Sequence, residues 1–326
     1  MILCADVGGT KTLLGLFDAE GKATQAIVQQ RYLARDWPRF EALLEDFLSQ
    51  HQSLIQVRPI RAACLGVAGP IDDGVVRMTN LNWTLDAASL SPTLGPIPIR
   101  LVNDFEAAAS GIDSLSPEDS FELQAGRPKV GGNQLVIGAG TGLGVAWRVW
   151  RQGRYEVLTG EGGHVGYSPI NEVQARCMAR ALGEVDRVVA EHFVSGPGLV
   201  HLYRALDEAN PFSMAGDASG VSAQEVVHRA LAEAEPRALA AVKEFFLSYG
   251  AVAASHALTL LARGGVFVAG GMVTRLTEAV KDGSFLAGFH RAGPYSELLQ
   301  SMPIHVVTHP DLGLLGAAVI ARRLLD

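Results

Sequence analysis

Cysteine is scarce. The 326-residue chain has three, Cys4, Cys64 and Cys177, isolated and odd in number. No CxxC pair or Cys/His cluster is present, which argues against a disulfide framework and against a structural zinc. Unpaired thiols fit a reducing, cytoplasmic compartment. Excess positive charge is also missing: 27 Lys and Arg stand against 34 Asp and Glu, a net charge of −7. Nucleic-acid binding by counterion release needs a basic footprint, so no nucleic-acid partner is expected. Long apolar runs are lacking as well. "GGVFVAGGMV" (264–273) falls well short of the ~20 residues of a bilayer span, so no membrane association is expected. The start, "MILCADVGG", has no basic n-region, so no signal peptide is indicated. Two phosphate-binding signatures fail on spacing. The Gly-Lys pair Gly21-Lys22 lacks the first glycine of GxxxxGK[ST], and Gly138-x-Gly140 is followed by Gly142 rather than by the last glycine of GxGxxG.

What is present is apolar residues and glycine. Hydrophobic residues make up 48% and charged residues 19%, enough for a sizeable core and for two domains. Glycines number 36, about 11% of the chain against a usual ~7%. They gather at strand ends, where a bare backbone can come close to a ligand. "ILCADVGGTKTLLGLFDAEGK" (2–22) reads strand, glycine turn, strand, polar turn, and "LVIGAGTGLGVAWRVWRQGR" (135–154) repeats that order. Aligned on Gly9-Thr10 and Gly140-Thr141, the two hairpins suggest a duplicated architecture. Between them the pattern predicts a helix over 38–51 and strands over 61–67, 75–79 and 97–103. Beyond them it predicts helices over 172–193, 197–209, 222–234 and 236–262, strands at 265–269 and 304–309, and a final helix after a loop "PDLGLLG". Alternating strands and helices imply an α/β fold with mixed or parallel sheets. "FSMAGDASG" (212–220) reads as an exposed loop.

"LVNDFEAAA" (101–109) places Asn103 and Asp104 where a buried strand hands over to a helix. One reading is a helix cap, with Glu106 reaching back at Asn103-x-x-Glu106 spacing. The other is a functional carboxylate at the carboxyl end of a strand, where open α/β sheets bind ligands. Likewise the glycine hairpins are either tight turns or amide cradles that, with the hydroxyls of Thr10 and Thr141, face a polyphosphate.

"DVGGT", "LVNDF", "GAGTGLGVA", "GEGGHVGYSP", "VSGPGLVHLYRA" and "GGVFVAGG", in this order, resemble the bacterial ATP-dependent glucokinases of the hexokinase/actin-like superfamily. The likeness runs from Asp6 to "LGLLGAA" near the C-terminus. Sugar kinases of the repressor/ORF/kinase (ROK) group share the first motif, but carry a cysteine-rich zinc motif after Gly-Glu-Gly-His. Here Cys177 stands alone, and zinc is not implied.

The resemblance implies a duplicated actin-like (ribonuclease H-like) two-domain α/β fold with a central cleft. Its small domain would comprise 1–110 plus about 303–326, and its large domain 111–302. It implies an ATP:D-glucose 6-phosphotransferase that uses ATP and Mg²⁺, forms a homodimer, and closes on glucose to exclude water. Asp104 matches the catalytic aspartate, a general base of a kind that contributes ~10²–10⁴-fold in rate. Asn103, Glu161, His164 and Glu191 match the sugar ligands. Asp6 would hold Mg²⁺, chiefly through water, since a hard cation keeps several of its waters. Gly8, Gly9 and Thr10, and Gly140, Thr141 and Gly142, would meet the phosphates, with Gly270 and Gly271 against the adenosine.

The bland readings are an Asp6 that stabilises its own turn, a loop His164 and a solvent-facing Glu191. His192, His201, His256, His305 and His309 read as surface or satisfied core histidines, and Arg322-Arg323 as a helix C-terminal charge pair. Alternatives are a kinase for another hexose or N-acyl hexosamine, or a non-catalytic sugar-sensing regulator. The regulator is disfavoured because Met1 runs directly into the first strand. A chaperone-type ATPase is disfavoured by length.

Overall fold

The run "ILCADV" forms strand β1 (Ile2–Val7), and its residues alternate between two apolar layers. Leu3, Ala5 and Val7 join one cluster; Ile2 and Cys4 join another. A strand covered on both faces reads as continuous apolar sequence, which is why β1 and β4 (Ala62–Val67, "AACLGV") show no polar alternation. The computed structural model describes residues 1–21, 25–69, 71–78, 81–207, 213–214 and 220–326. The loop expected over 212–220 lies largely outside them.

The chain divides into two compact units, Met1–Asp119 with Asp311–Asp326, and Ser120–Pro310. In the first, β2 (Lys11–Phe17), β3 (Val28–Leu33) and β8 (Ile99–Asn103) complete a sheet of order β3-β2-β1-β4-β8. A small antiparallel group, β5 (Ile71–Asp72), β6 (Val75–Arg77) and β7 (Thr84–Asp86), accompanies it. The helix Phe40–Gln50 packs Phe40, Leu43, Leu44 and Phe47 into one apolar layer. The C-terminal helix Leu312–Arg323 fills the other with Leu314, Leu315 and Ile320.

In the second unit β9 (Ser120–Gln124), β10 (Gln134–Ala139), β11 (Leu143–Arg151), β12 (Arg154–Gly160), β13 (Gly265–Ala269) and β14 (Ile304–Val307) form a sheet of order β12-β11-β10-β13-β14-β9. The strand directions repeat those of the first sheet. β1 runs antiparallel to β2 and parallel to β4, as β10 does to β11 and β13. β2–β3 and β11–β12 are antiparallel, β4–β8 and β13–β14 parallel. The duplication suggested by two hairpins therefore extends to five strands, with β9 added antiparallel at one edge.

The structure departs from the expected elements in four places. The helix expected over 172–193 ends at Ala181, followed by Gly183. Residues 188–190 then pair with 165–167 instead: Tyr167 N–H donates to the Val188 carbonyl (3.0 Å) and Ala190 N–H to that of Val165 (2.9 Å). The expected domain ranges differ at both joins. β14 hydrogen-bonds between β13 and β9, so 304–307 belongs to the second unit, and residues 111–119 stay with the first. The last helix begins at Leu312, inside the expected loop. Arg322 donates to the Asp18 carbonyl (2.8 Å) rather than acting only on its own helix end. One helix among the described residues, Pro236–Leu260, is long and apolar enough to cross a membrane, but 67% of its most apolar window is buried inside the second unit. Phe245, Phe246 and Tyr249 on it are fully buried, which makes it a core helix.

The first unit depends on one very close helix crossing. A Cβ on Gly316 would overlap the Ala107 carbonyl oxygen, and one on Gly111 would stand 2.6 Å from the Leu312 carbonyl oxygen. Gly316→Ala is expected to destabilise the protein by about 2–3 kcal/mol, because the two backbones must separate. Urea denaturation checks this; an unchanged midpoint would mean the crossing relaxes without cost.

Candidate active site

In the first unit, Asp6 lies near the end of β1 on the same face as Ile2 and Cys4, opposite Gly66 of β4. A Cβ on Gly313 would sit 3.1 Å from Asp6 Oδ2, so the start of the C-terminal helix leaves room for this carboxylate and no more. Burial pushes the Asp6 carboxyl up to about 7, and the neighbouring carboxylates of Asp104 and Asp311 push the same way. The turn that follows closes through Gly8 N–H donating to the Lys11 carbonyl (2.9 Å), with Gly9 and Thr10 at its tip.

Asn103 resolves the question raised by "LVNDF". Its Oδ1 accepts from Phe105 N–H (2.9 Å) and its Nδ2 donates to the Gly69 carbonyl (3.3 Å), so Asn103 is the N-cap of the helix Asp104–Gly111. The expected reach of Glu106 back to the cap does not occur; its Oε1 takes Arg100 Nη2 instead (3.0 Å). With capping done by Asn103, Asp104 stands in the first helical turn. Sequence reasoning missed Asp311, which accepts from Gln29 Nε2 (2.7 Å) and faces Arg31 Nη2 at 3.7 Å. Its only local signal was an acid in the loop before the last helix.

In the second unit the Gly140–Gly142 turn closes as the first one does, with Gly140 N–H donating to the Gly142 carbonyl (2.8 Å). The two loops differ by one residue: Val7 pairs with Thr12, whereas Ala139 pairs with Leu143. Gly140 and Thr141 line a cavity of about 580 Å³ with Gly196, His201, Gly271 and Met272. Gly270 holds a φ of +94°, and a Cβ there would overlap the Ala139 carbonyl oxygen, so only glycine lets β13 pass the hairpin. Tyr249, another residue missed from sequence, braces both strands from beneath. Its hydroxyl accepts from Ala139 N–H (3.1 Å) and lies within hydrogen-bond distance of the carbonyls of Ile137 on β10 (3.0 Å) and Ala269 on β13 (3.3 Å). A tyrosine inside an apolar helix gives no sign of that role.

His164 and Glu191 come together in this unit, and Glu161 precedes the turn that carries His164, its carbonyl accepting from His164 N–H (3.0 Å). The turn Gly162–His164 lies flat on β11, where a Cβ on Gly163 would overlap the Leu143 carbonyl oxygen. The pairing of 188–190 with 165–167 brings Glu191 beside it, with Oε1 3.8 Å from His164 Nε2. Glu191 therefore sits in a short 3-10 turn, Ala190–His192, and not on the expected helix. Its Oε2 accepts from Leu143 N–H at 2.7 Å, the first residue after the glycine turn. His201 and His256 are satisfied by backbone carbonyls, as expected, although His201 also lines the cavity.

A family model described as Glucokinase matches residues 3–324. The chain belongs to the glucokinase family. A glucokinase from Yersinia enterocolitica is 36% identical over 327 residues, covering 99% of this chain and 97% of its own length. Among solved structures, a glucokinase from an Antarctic psychrotroph has a TM-score of 0.85 at 28% identity, covering 99% of this chain and 98% of its own. A Balamuthia mandrillaris glucokinase solved in complex with glucose has a TM-score of 0.80 at 26% identity, covering 98% and 93%. Membership in the glucokinase family makes the protein a sugar-phosphorylating enzyme. The repeated sheets are the duplicated actin-like α/β fold that the motifs implied.

Proposed function

We propose that the protein is an ATP:D-glucose 6-phosphotransferase with Asp104 as general base. The observation that carries the reading is the Glu191 carboxylate. One oxygen holds the backbone of the glycine turn that lines the cavity, and the other faces His164. A single side chain thus links the turn that lines a nucleotide-sized cavity to a polar group suited to sugar hydroxyls. The glucose-bound relative from Balamuthia mandrillaris supports glucose as the sugar.

Asp104 takes the proton from the 6-hydroxyl as its oxygen bonds to the γ-phosphorus and the bond to the β-phosphate oxygen breaks, releasing ADP. Glu161, His164 and Glu191 hold the remaining hydroxyls, with Asn103 keeping the Asp104 turn in place as well as being a candidate ligand. Gly8, Gly9 and Thr10, with Gly140, Thr141 and Gly142, offer amides and hydroxyls to the phosphates. Gly270 and Gly271 leave the cavity wall bare for adenosine.

The first unit suits a divalent cation. A carboxyl pushed up to about 7 by burial and by two neighbouring carboxylates marks a position short of positive charge. Among the described residues no three His, Cys, Asp or Glu side chains stand ready to ligate a metal together, so Asp6 would hold Mg²⁺ chiefly through water. When bound, Mg²⁺ neutralises charge on the transferring phosphates.

A coupled assay with ATP and Mg²⁺ over a sugar panel tests the reading. Glucose should give the highest kcat/KM, because a site built on polar contacts discriminates by up to ~10⁴-fold against an analogue lacking a recognised hydroxyl. Faster turnover of mannose or N-acetylmannosamine would move the enzyme to another substrate. Glucose binding without turnover of any sugar would favour the regulator.

A further inference from the structure

The segment 191–196 grips the glycine turn at both ends. At the exit, Glu191 Oε2 accepts from Leu143 N–H (2.7 Å). At the entrance, Gly196 N–H donates to the Gly140 carbonyl (2.8 Å). Ser195 closes the loop between the two grips. Its hydroxyl donates to the Glu191 carbonyl (2.8 Å) and accepts from Gly198 N–H (3.0 Å), capping the helix Gly196–Ala205 whose first residues line the cavity. Ser195 is 1% exposed and its hydroxyl has both partners, so its geometry is set by this connection. The fit at the exit has no slack: a Cβ on Gly142 would stand 2.6 Å from Glu191 Oε2.

We infer that Ser195 is a positioning residue that couples the sugar carboxylate Glu191 to the nucleotide turn, so that each substrate tightens the binding of the other. The inference rests on the proposed roles of Glu191 and of the 140–142 turn. Glu191 can meet a sugar hydroxyl through Oε1, on the His164 side, without releasing Leu143 through Oε2. Sugar that immobilises the carboxylate then also immobilises the turn, and a nucleotide binding afterwards meets a turn already ordered. Ser195 makes this two-ended: it ties the Glu191 backbone to the helix start that holds Gly140. Without its hydroxyl, Glu191 and Gly196 grip the turn independently.

Calorimetric titration of the whole protein with AMPPNP and Mg²⁺, with and without saturating glucose, tests this. In the wild type glucose should tighten AMPPNP at least ~5-fold, and AMPPNP should tighten glucose by the same factor. Ser195→Ala should still bind each ligand alone but show coupling of ~2-fold or less, and Ser195→Thr should restore it. In the steady state, Ser195→Ala should raise the KM for ATP measured at saturating glucose more than it lowers kcat. A serine that only capped its helix would lower thermal stability and leave the coupling factor intact, which overturns the inference. If Ser195→Ala does not fold, Gly142→Ala, which displaces the Glu191 carboxylate, should lose the coupling; retained coupling there also overturns it. Wild-type protein that binds both ligands without coupling sinks this inference alone. Wild-type protein that binds no glucose sinks the functional reading beneath it.

Discussion

Replacing Asp104 with alanine is expected to lower kcat by about 10²–10⁴-fold while glucose still binds. The size of the loss separates the two meanings of a carboxylate at this position. As a charge in the first turn of the helix Asp104–Gly111, Asp104 contributes about 0.3–1 kcal/mol through the helix dipole and nothing to the rate. The cap itself is supplied by Asn103, whose Oδ1 takes Phe105 N–H, so Asp104→Ala leaves it in place. Turnover, glucose titration and a melting curve on one variant decide the matter. A variant that melts slightly lower but turns over within ten-fold of wild type would return Asp104 to a structural role and remove the general base.

Asp6→Asn should stabilise the metal-free protein increasingly from about pH 4 to pH 7 and above, and not in stronger acid, while abolishing most activity. The ordinary carboxyl value is 3.8, and in the folded protein Asp6 is pushed up to about 7. Below about pH 4 both folded and unfolded chains carry this proton, and the group contributes nothing to the balance. Between about pH 4 and 7 the unfolded chain has lost the proton while the folded one keeps it, and above 7 the folded chain must carry a buried carboxylate beside Asp104 and Asp311. Asp6 therefore costs stability that grows between pH 4 and 7 and levels off above, on the order of 4 kcal/mol at most. Asparagine removes that cost together with the negative charge that Mg²⁺ would meet. Urea melts of both proteins in EDTA from pH 4 to 8 should diverge as pH rises. Parallel curves would mean that Asp6 is solvated like an ordinary carboxylate.

Much of the fold was legible because its signals are local. The strand–glycine–strand units at 2–22 and 135–154 carry their turns in adjacent residues, and "GGVFVAGG" announces β13 and the bend after it. The edge strands β3, β12 and β9 left little trace, since "VQQRYL", "RYEVLTG" and "SFELQ" are half-exposed and polar. Helical periodicity over 172–193 also misled, because Gly183 and the apolar run after it, including Val188 and Val189, serve a strand-like pairing instead.

The site divides along the same line. The order of short motifs along the chain sufficed to assign the family and to nominate Asp6, Asp104, Glu161, His164, Glu191 and the glycines, because turns and strand ends are written in neighbouring residues. Tertiary structure alone decided that Glu191 meets both His164 and the 140–142 turn, that Ser195 binds the two ends of that grip, that Tyr249 braces the strands beneath, and that Asp311 adds charge beside Asp6. Apart from the Ser195 bonds, which span three and four residues, these contacts join segments tens to hundreds of residues apart. Their distances are set by how helices and sheets pack, a quantity that no short stretch of sequence contains.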